Sequence, residues 1–304
     1  MHQHSVIIEN LSKSYKKVES LRDISFTVDK GEIFGCIGPD GAGKTTLFRI
    51  LVTLLLPDAG SASVEGLDVV KDFRKIRKIV GYMPGRFSLY QDLSVEENLK
   101  FFASSFKTTI RENYYLIEDI YRQIEPFKKR LAGRLSGGMK QKLALSCALI
   151  HKPEVLFLDE PTTGVDAVSR KEFWEMLKRL KEWGITILVS TPYMDEAAMC
   201  DRVALMQEGN IMKIDTPVNI IQAHEKPLAA VKTDNMFKLV EDLRSMDDCH
   251  SAFRFGDSIH YSPENVLNEK GLVEVLQAKG HGNIEVDEIE PGIEDCFMEL
   301  MIER

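Results

Sequence analysis

Short apolar, often β-branched runs alternate with amphipathic stretches along the first two-thirds of the chain. Runs at 5–10, 24–28 and 32–37 predict strands. A Gly-rich turn then leads into a helix predicted over 44–55 and stopped by Pro57-Asp58-Ala59-Gly60. From 94 to about 130 the apolar positions recur at helical spacing: Val95, Leu99, Phe102, Ala103 and Phe106, then Tyr115, Ile117, Ile120 and Ile124. A helix over 139–150, an apolar strand over 155–158, a helix near 168–183 and a strand over 186–189 complete this part. Strands apolar on both faces, alternating with helices, predict an α/β fold with a parallel sheet covered by helices.

Around Thr216-Pro217 the pattern changes. Strands near 229–232, 251–254, 258–261 and 283–286, with helices over 234–244, 265–279 and from 292, predict a small α+β unit. The expected domains are therefore 3–216 and 217–304. Charge divides along the same line. The 304 residues carry a net −8, but residues 1–216 hold 31 Lys/Arg against 29 Asp/Glu, and residues 217–304 hold 8 against 18. The acidic excess of the second unit argues against a nucleic-acid partner there. Apolar residues at 44% and charged residues at 28% are ordinary for a globular protein of this size, which needs no disulfide or metal to hold its core. No run approaches 18 apolar residues, and the start of the chain lacks the basic and apolar segments of a secretory signal. Cys36, Cys147, Cys200, Cys249 and Cys296 are isolated, and the seven histidines show no zinc spacing, so reduced, mostly buried thiols in a cytosolic protein are expected.

Two segments carry chemistry. Gly38-Pro39-Asp40-Gly41-Ala42-Gly43-Lys44-Thr45, followed by Thr46, fits G-x-x-x-x-G-K-S/T between a strand and a helix. Glycines there let successive N–H groups turn inward around phosphate oxygens, and the helix start favours the anion. Lys44 is expected to reach the terminal phosphates and the Thr45 hydroxyl to ligate Mg²⁺. The strand over 155–158 runs into Asp159-Glu160, which a parallel sheet delivers to its ligand crevice. Asp159 suits the Mg²⁺ shell, and Glu160 suits a general base acting on water.

A third segment, Leu135-Ser136-Gly137-Gly138-Met139-Lys140-Gln141, resembles the LSGGQ-type signature of ATP-binding cassette (ABC) proteins. The order of phosphate loop, signature and acidic strand resembles that family over about 3–216. The resemblance implies a P-loop NTPase cassette with a mainly parallel core sheet, an antiparallel β subdomain and a helical signature subdomain over about 88–150. It implies that two cassettes pair head to tail, each ATP lying between the phosphate loop of one and the signature of the other. Ser136 and the N–H groups of Gly137 and Gly138 then form a second anion site at a helix start. By the same resemblance Tyr15 stacks on adenine and Asp166 is the D-loop aspartate. The C-terminal unit, down to Glu290-Pro291-Gly292-Ile293, and the run 89–99 resemble ATPases that pair with ABC-2 type export permeases, which places the chain in the cytoplasm, peripheral to the inner face of the membrane.

Two positions depart from the family pattern. Gly85 stands where a Q-loop glutamine is expected, with Gln91 six residues too far on, and Pro192 stands where the switch histidine is expected. Pro192 offers neither a side-chain hydrogen bond nor an N–H. Slow turnover at this chain's own phosphate-loop face follows. So does a preference for a heterodimer with a fully equipped cassette over a homodimer, with an ATP-gated regulatory cassette as the alternative to an exporter motor.

Overall fold

The computed structural model describes residues 4–302; position 3 of the expected cassette and positions 303–304 of the expected second unit lie outside them. The chain divides into two compact units, Met1–Pro217 and Val218–Arg304.

The first unit begins with the hairpin β1 (His4–Tyr15) and β2 (Val18–Asp29), followed by β3 (Ile33–Ile37), α1 (Lys44–Leu51), β4 (Ala59–Val64), β5 (Leu67–Asp68), α2 (Phe73–Ile79) and β6 (Val80–Met83). Then come α3 (Val95–Ser105), α4 (Tyr114–Ile124), α5 (Gly137–Leu149), β7 (Val155–Asp159), α6 (Ala167–Glu182), β8 (Thr186–Thr191), a 3₁₀ turn (Met194–Met199), β9 (Arg202–Gln207) and β10 (Asn210–Asp215). The central sheet has the order β10-β9-β3-β8-β7-β6. Its β9-β3-β8-β7-β6 pairings are parallel, and β10 closes one edge antiparallel. A second, antiparallel sheet has the order β2-β1-β4-β5. The two share one core, in which Phe26 of β2 stacks on Phe34 of β3 at 5.1 Å between ring centroids. Every residue of β3, β7 and β8 is buried, which is why these strands read as unbroken apolar runs.

The second unit contains β11 (Ala229–Lys232), α8 (Met236–Arg244), β12 (Cys249–Phe255), β13 (Ser258–Pro263), α9 (Glu269–Ala278), β14 (Glu285–Glu288) and α10 (Ile293–Ile302), after the short helix α7 (Pro217–Gln222). Its sheet is antiparallel in the order β12-β13-β11-β14. Leu239, Leu243, Ile259, Tyr261 and Leu276 form its separate core.

Several expected boundaries move, each for a local reason. The helix expected to reach 55 stops at Leu51, because Thr53 takes a left-handed φ of 64°. Arg77 fixes that ending, its guanidinium donating to Thr53 Oγ1 at 2.8 Å and to the Thr53 carbonyl at 2.7 Å. The first strand runs on past 10, through a positive φ at Asn10 and shifts of register that disguise its alternation. Tyr115, expected on the buried face of its helix, is exposed and lies against Trp183 at 6.1 Å; Leu116 and Tyr121 are buried instead. Strand β9, the edge strand β10 and the short β4–β6 were not expected as strands.

The run 89–99 is organised by two side chains. Ser94 and Glu97 form a reciprocal cap at the start of α3. Asn98, fully buried, accepts from the Tyr90 N–H at 3.1 Å and donates toward the carbonyls of Tyr90, Leu93 and Ser94 at 3.0–3.2 Å. Replacing it with leucine leaves these backbone groups unserved. Asn98→Leu is expected to cost the first unit about 3 kcal/mol, read as a lowered urea midpoint for its unfolding.

Candidate functional site

The loop 38–43 lies at the carboxyl end of β3, inside tight steric limits. A Cβ on Gly38 would sit 2.1 Å from the Met206 carbonyl oxygen, and one on Gly43 2.3 Å from that of Ser20. Gly43 also has a φ of 101°. Around Gly41, by contrast, there is open space. The loop is walled from below by β9 and β2 and open above. Helix α1 starts from Gly43 with no side chain capping its first N–H groups, so an uncapped helix start faces the open side of the loop.

Lys44 is buried, with 3% of its surface exposed, and its ammonium donates to the carbonyls of Gly38 at 2.7 Å and Pro39 at 3.0 Å. The same ammonium lies 3.6 Å from Glu160 Oε1. Asp159, equally buried, accepts from Thr45 Oγ1 at 3.0 Å and from Ser190 Oγ at 2.6 Å. Thr46, also buried, accepts from Ser20 Oγ at 2.7 Å, which ties the start of α1 to β2. Pro39 and Asp40 are exposed at the loop's rim, and the Ala42 N–H donates back to the Pro39 carbonyl at 3.2 Å. The phosphate loop and acidic strand end, 114 residues apart at Thr45 and Asp159, thus form one cluster.

Ser190, which the sequence reading did not single out, connects this cluster. Its Oγ donates to Asp159 and accepts from the Glu160 N–H at 3.0 Å, and its carbonyl accepts from that same N–H at 3.0 Å. Glu160 is held at a φ of 49°, an uncommon conformation for a carboxylate residue. Its strain is sustained by those two bonds. The only signal in the sequence was a serine at the end of an apolar strand. The cluster's charge reaches its neighbours: burial, reinforced by Asp159, pushes the Tyr82 phenol up to about 12, and burial pushes the Cys36 thiol up to about 12 against the pull of Lys44.

The two departures lie beside these groups. A Cβ at Gly85 would sit 3.1 Å from the Asp159 carbonyl oxygen and 3.7 Å from Glu160 Cβ, so a longer side chain there would border the carboxylates. Pro192 follows directly on β8, next to Thr191, whose carbonyl accepts from the Gly38 N–H at 3.2 Å.

The signature residues stand apart from the loop's bonds. Leu135 is buried, and Ser136 caps α5 by accepting from the Met139 N–H at 3.4 Å. Met139 and the two glycines before it form the first turn of α5, where a Cβ on Gly137 or Gly138 would meet nothing within 4 Å. Lys140 lies over the Phe87 ring at 5.4 Å, and Gln141 donates to the Thr163 carbonyl at 3.2 Å, next to the turn that follows Glu160. Asp166 caps α6 by accepting from the Ser169 N–H at 3.0 Å, a bond that holds its carboxyl below the usual range. Tyr15 ends β1 half-exposed.

Comparison with known proteins places these features. The ABC transporter family model matches residues 21–163, which include the loop, the signature, Asp159 and Glu160. The chain is 36% identical over 308 residues to the probable multidrug ABC transporter ATP-binding protein YbhF of Escherichia coli (strain K12), covering 99% of this chain and 53% of YbhF. It is 32% identical over 306 residues to the Nod factor export ATP-binding protein I of Rhizobium sp. (strain N33), covering 99% of this chain and 98% of that protein. The chain belongs to the ABC transporter ATP-binding proteins. It spans about half the length of YbhF. Among solved structures, cbiO1 from Clostridium perfringens, part of the ABC transporter complex cbiONQ, superposes with a TM-score of 0.65 at 27% identity, over 72% of this chain and 91% of that one. The α/β cassette fold expected from the sequence is therefore the fold observed, with its parallel core sheet and antiparallel β subdomain. Tyr15, Asp166 and Pro192 fall outside the matched span.

A cleft lies between β6 and the helices α3 and α5. In this chain it is an apolar cavity of about 310 Å³, lined among others by Leu54, Tyr82, Met83, Phe102 and His151. His151 stacks on Phe106 at 3.8 Å, and burial pushes its imidazole below the usual range. No helix among the described residues is long and apolar enough to cross a membrane.

Ser190→Ala removes one donor from a buried carboxylate and one acceptor from the Glu160 N–H. A loss of about 2 kcal/mol in stability is expected, measured by denaturant titration.

Proposed function

We propose that this chain is the ATP-binding and hydrolysing subunit of an ABC exporter, energising an ABC-2 type permease through the closing of paired cassettes. The observation that carries the reading is the joining of Lys44, Thr45, Asp159, Glu160 and Ser190 around one open glycine loop. The N–H groups of Gly41, Gly43, Lys44, Thr45 and Thr46 and the Lys44 ammonium cradle the ATP phosphates. Thr45 and Asp159 present two hard oxygens 3.0 Å apart, a donor set suited to Mg²⁺. When bound there, Mg²⁺ neutralises charge between the terminal phosphates. Glu160 takes a proton from the attacking water, and Ser190 holds its backbone so that the carboxylate points toward Lys44. Tyr15 stacks on adenine, and Asp166 faces the second site.

The pairing of cassettes is supported by Gly137 and Gly138. Neither has a positive φ, and among the described residues nothing lies within 4 Å of where their Cβ atoms would sit. Any need for glycine there comes from outside the chain, and the ATP held by a second cassette meets that need. The apolar cleft suits a helix of a membrane subunit, which supports a position at the cytoplasmic face of the membrane. Names of relatives point the same way, toward multidrug and Nod factor export.

Gly85 and Pro192 favour a heterodimer. Both remove groups from this chain's own phosphate-loop face and leave its signature intact, so a different, complete cassette supplies the faster site. They also favour, as a second reading, an ATP-gated regulatory cassette with little hydrolysis.

Steady-state ATPase of the purified chain separates these readings. Slow wild-type turnover is expected, at least a tenfold gain in Gly85→Gln/Pro192→His, and loss of activity in Glu160→Gln. Rapid wild-type turnover with no gain on restoration overturns the degenerate site and, with it, the heterodimer. Transport that survives Glu160→Gln supports the regulatory reading.

A further inference from the structure

The second unit holds four of the chain's seven histidines, and each of the four lies against a carboxylate. Three converge on α10. His224, after α7, has Nδ1 2.5 Å from Glu299 Oε2 without hydrogen-bond geometry. His250, on β12, lies between two acids, with Nδ1 3.3 Å from Glu264 Oε1 and Nε2 3.9 Å from Glu299 Oε1. His260, on β13, has Nδ1 2.6 Å from Asp295 Oδ1 and stacks on Phe255 at 4.1 Å. The fourth, His281, sits apart between Thr233 and Asp242.

The three surround a cavity of about 10 Å³, no larger than one water, lined also by Leu228, Phe253 and Phe255. The His224 side chain is 4% exposed, and neither of its ring nitrogens has a hydrogen-bond partner; Ser262 Oγ is likewise buried and unpartnered. The other charges at the cluster are accounted for: Lys226 pairs with Glu264 at 2.6 Å, and Asp295 also accepts from the Gly292 N–H at 2.8 Å.

A neutral imidazole has one N–H, whereas an imidazolium has two. His250 faces Glu264 from one nitrogen and Glu299 from the other, so only its charged form serves both. With neutral rings, Asp295 and Glu299 would find no cation among the residues that line this small cavity.

We propose that α10 is fastened by a proton-operated clasp, in which the imidazolium forms of His224, His250 and His260 hold Glu299 and Asp295. Histidine changes charge near neutral pH. The clasp is closed on the acid side of that range, while the carboxylates are still ionised. It opens as pH rises and the imidazoles lose their protons. The clasp does not depend on ATP hydrolysis by the first unit.

Hydrogen-exchange mass spectrometry of the full chain at pH 6 and pH 8, with exchange times adjusted for intrinsic rates, tests this. Peptides over 293–302 are expected to be at least tenfold better protected at pH 6, with peptides over 44–51 unchanged. In Asp295→Asn/Glu299→Gln, isosteric and uncharged, the ratio is expected to fall within twofold. His224→Gln/His250→Gln is expected to give low protection at both pH values. Equal protection at the two pH values in the wild type overturns the clasp. So does a pH dependence that survives the carboxamide variant, which decides the matter even where the histidine variant fails to fold.

Discussion

Lys44 and Asp159 bring opposite charges into a place from which water is largely excluded. Burying an ion costs several kcal/mol unless its surroundings replace the lost hydration. Here the replacement is local. Two loop carbonyls take the ammonium, two hydroxyls serve the carboxylate, and Glu160 stands near enough to offset the lysine. These groups come from three strand ends, so the cluster exists only if β3, β7 and β8 lie side by side and in register. That requirement explains the unbroken burial of all three strands.

Much of this was legible in the sequence because it depends on local rules. The phosphate loop has a fixed spacing, and strands buried on both faces announce themselves as apolar runs. The signature was readable as a helix start, and α5 indeed begins at Gly137, two residues before the apolar pattern of its helix takes over. What was missed depends on distant partners. Ser190 is a plain serine until β8 is laid beside β7. Thr53 ends α1 only because Arg77, 24 residues on, holds it. The edge strand β10 lacks the unbroken apolar signature of the central ones, since none of its residues is fully buried.

In the second unit the charge was legible, but its organisation was not. Spacing shows four histidines scattered over 58 positions, and only the antiparallel sheet brings three of them to one helix. The acidic composition reads as a solvated surface, yet Asp295 is buried and Glu299 largely so. Composition counts charges; topology decides which of them must find a counter-charge.

Helix α1 has a mechanical consequence. Its eight residues make a rod of about 12 Å, anchored at one end in the phosphate loop and pinned at the other by Arg77 to α2. The residues just beyond its end, Val52 and Leu54, form part of the cleft wall, and so does Arg77 itself. A short helix in a close-packed core neither bends nor compresses appreciably. The phosphate loop and the cleft wall are therefore the two ends of one short, pinned segment. The two places are joined by a strut, and stiffness, more than any chain of side-chain rearrangements, sets the relation between them.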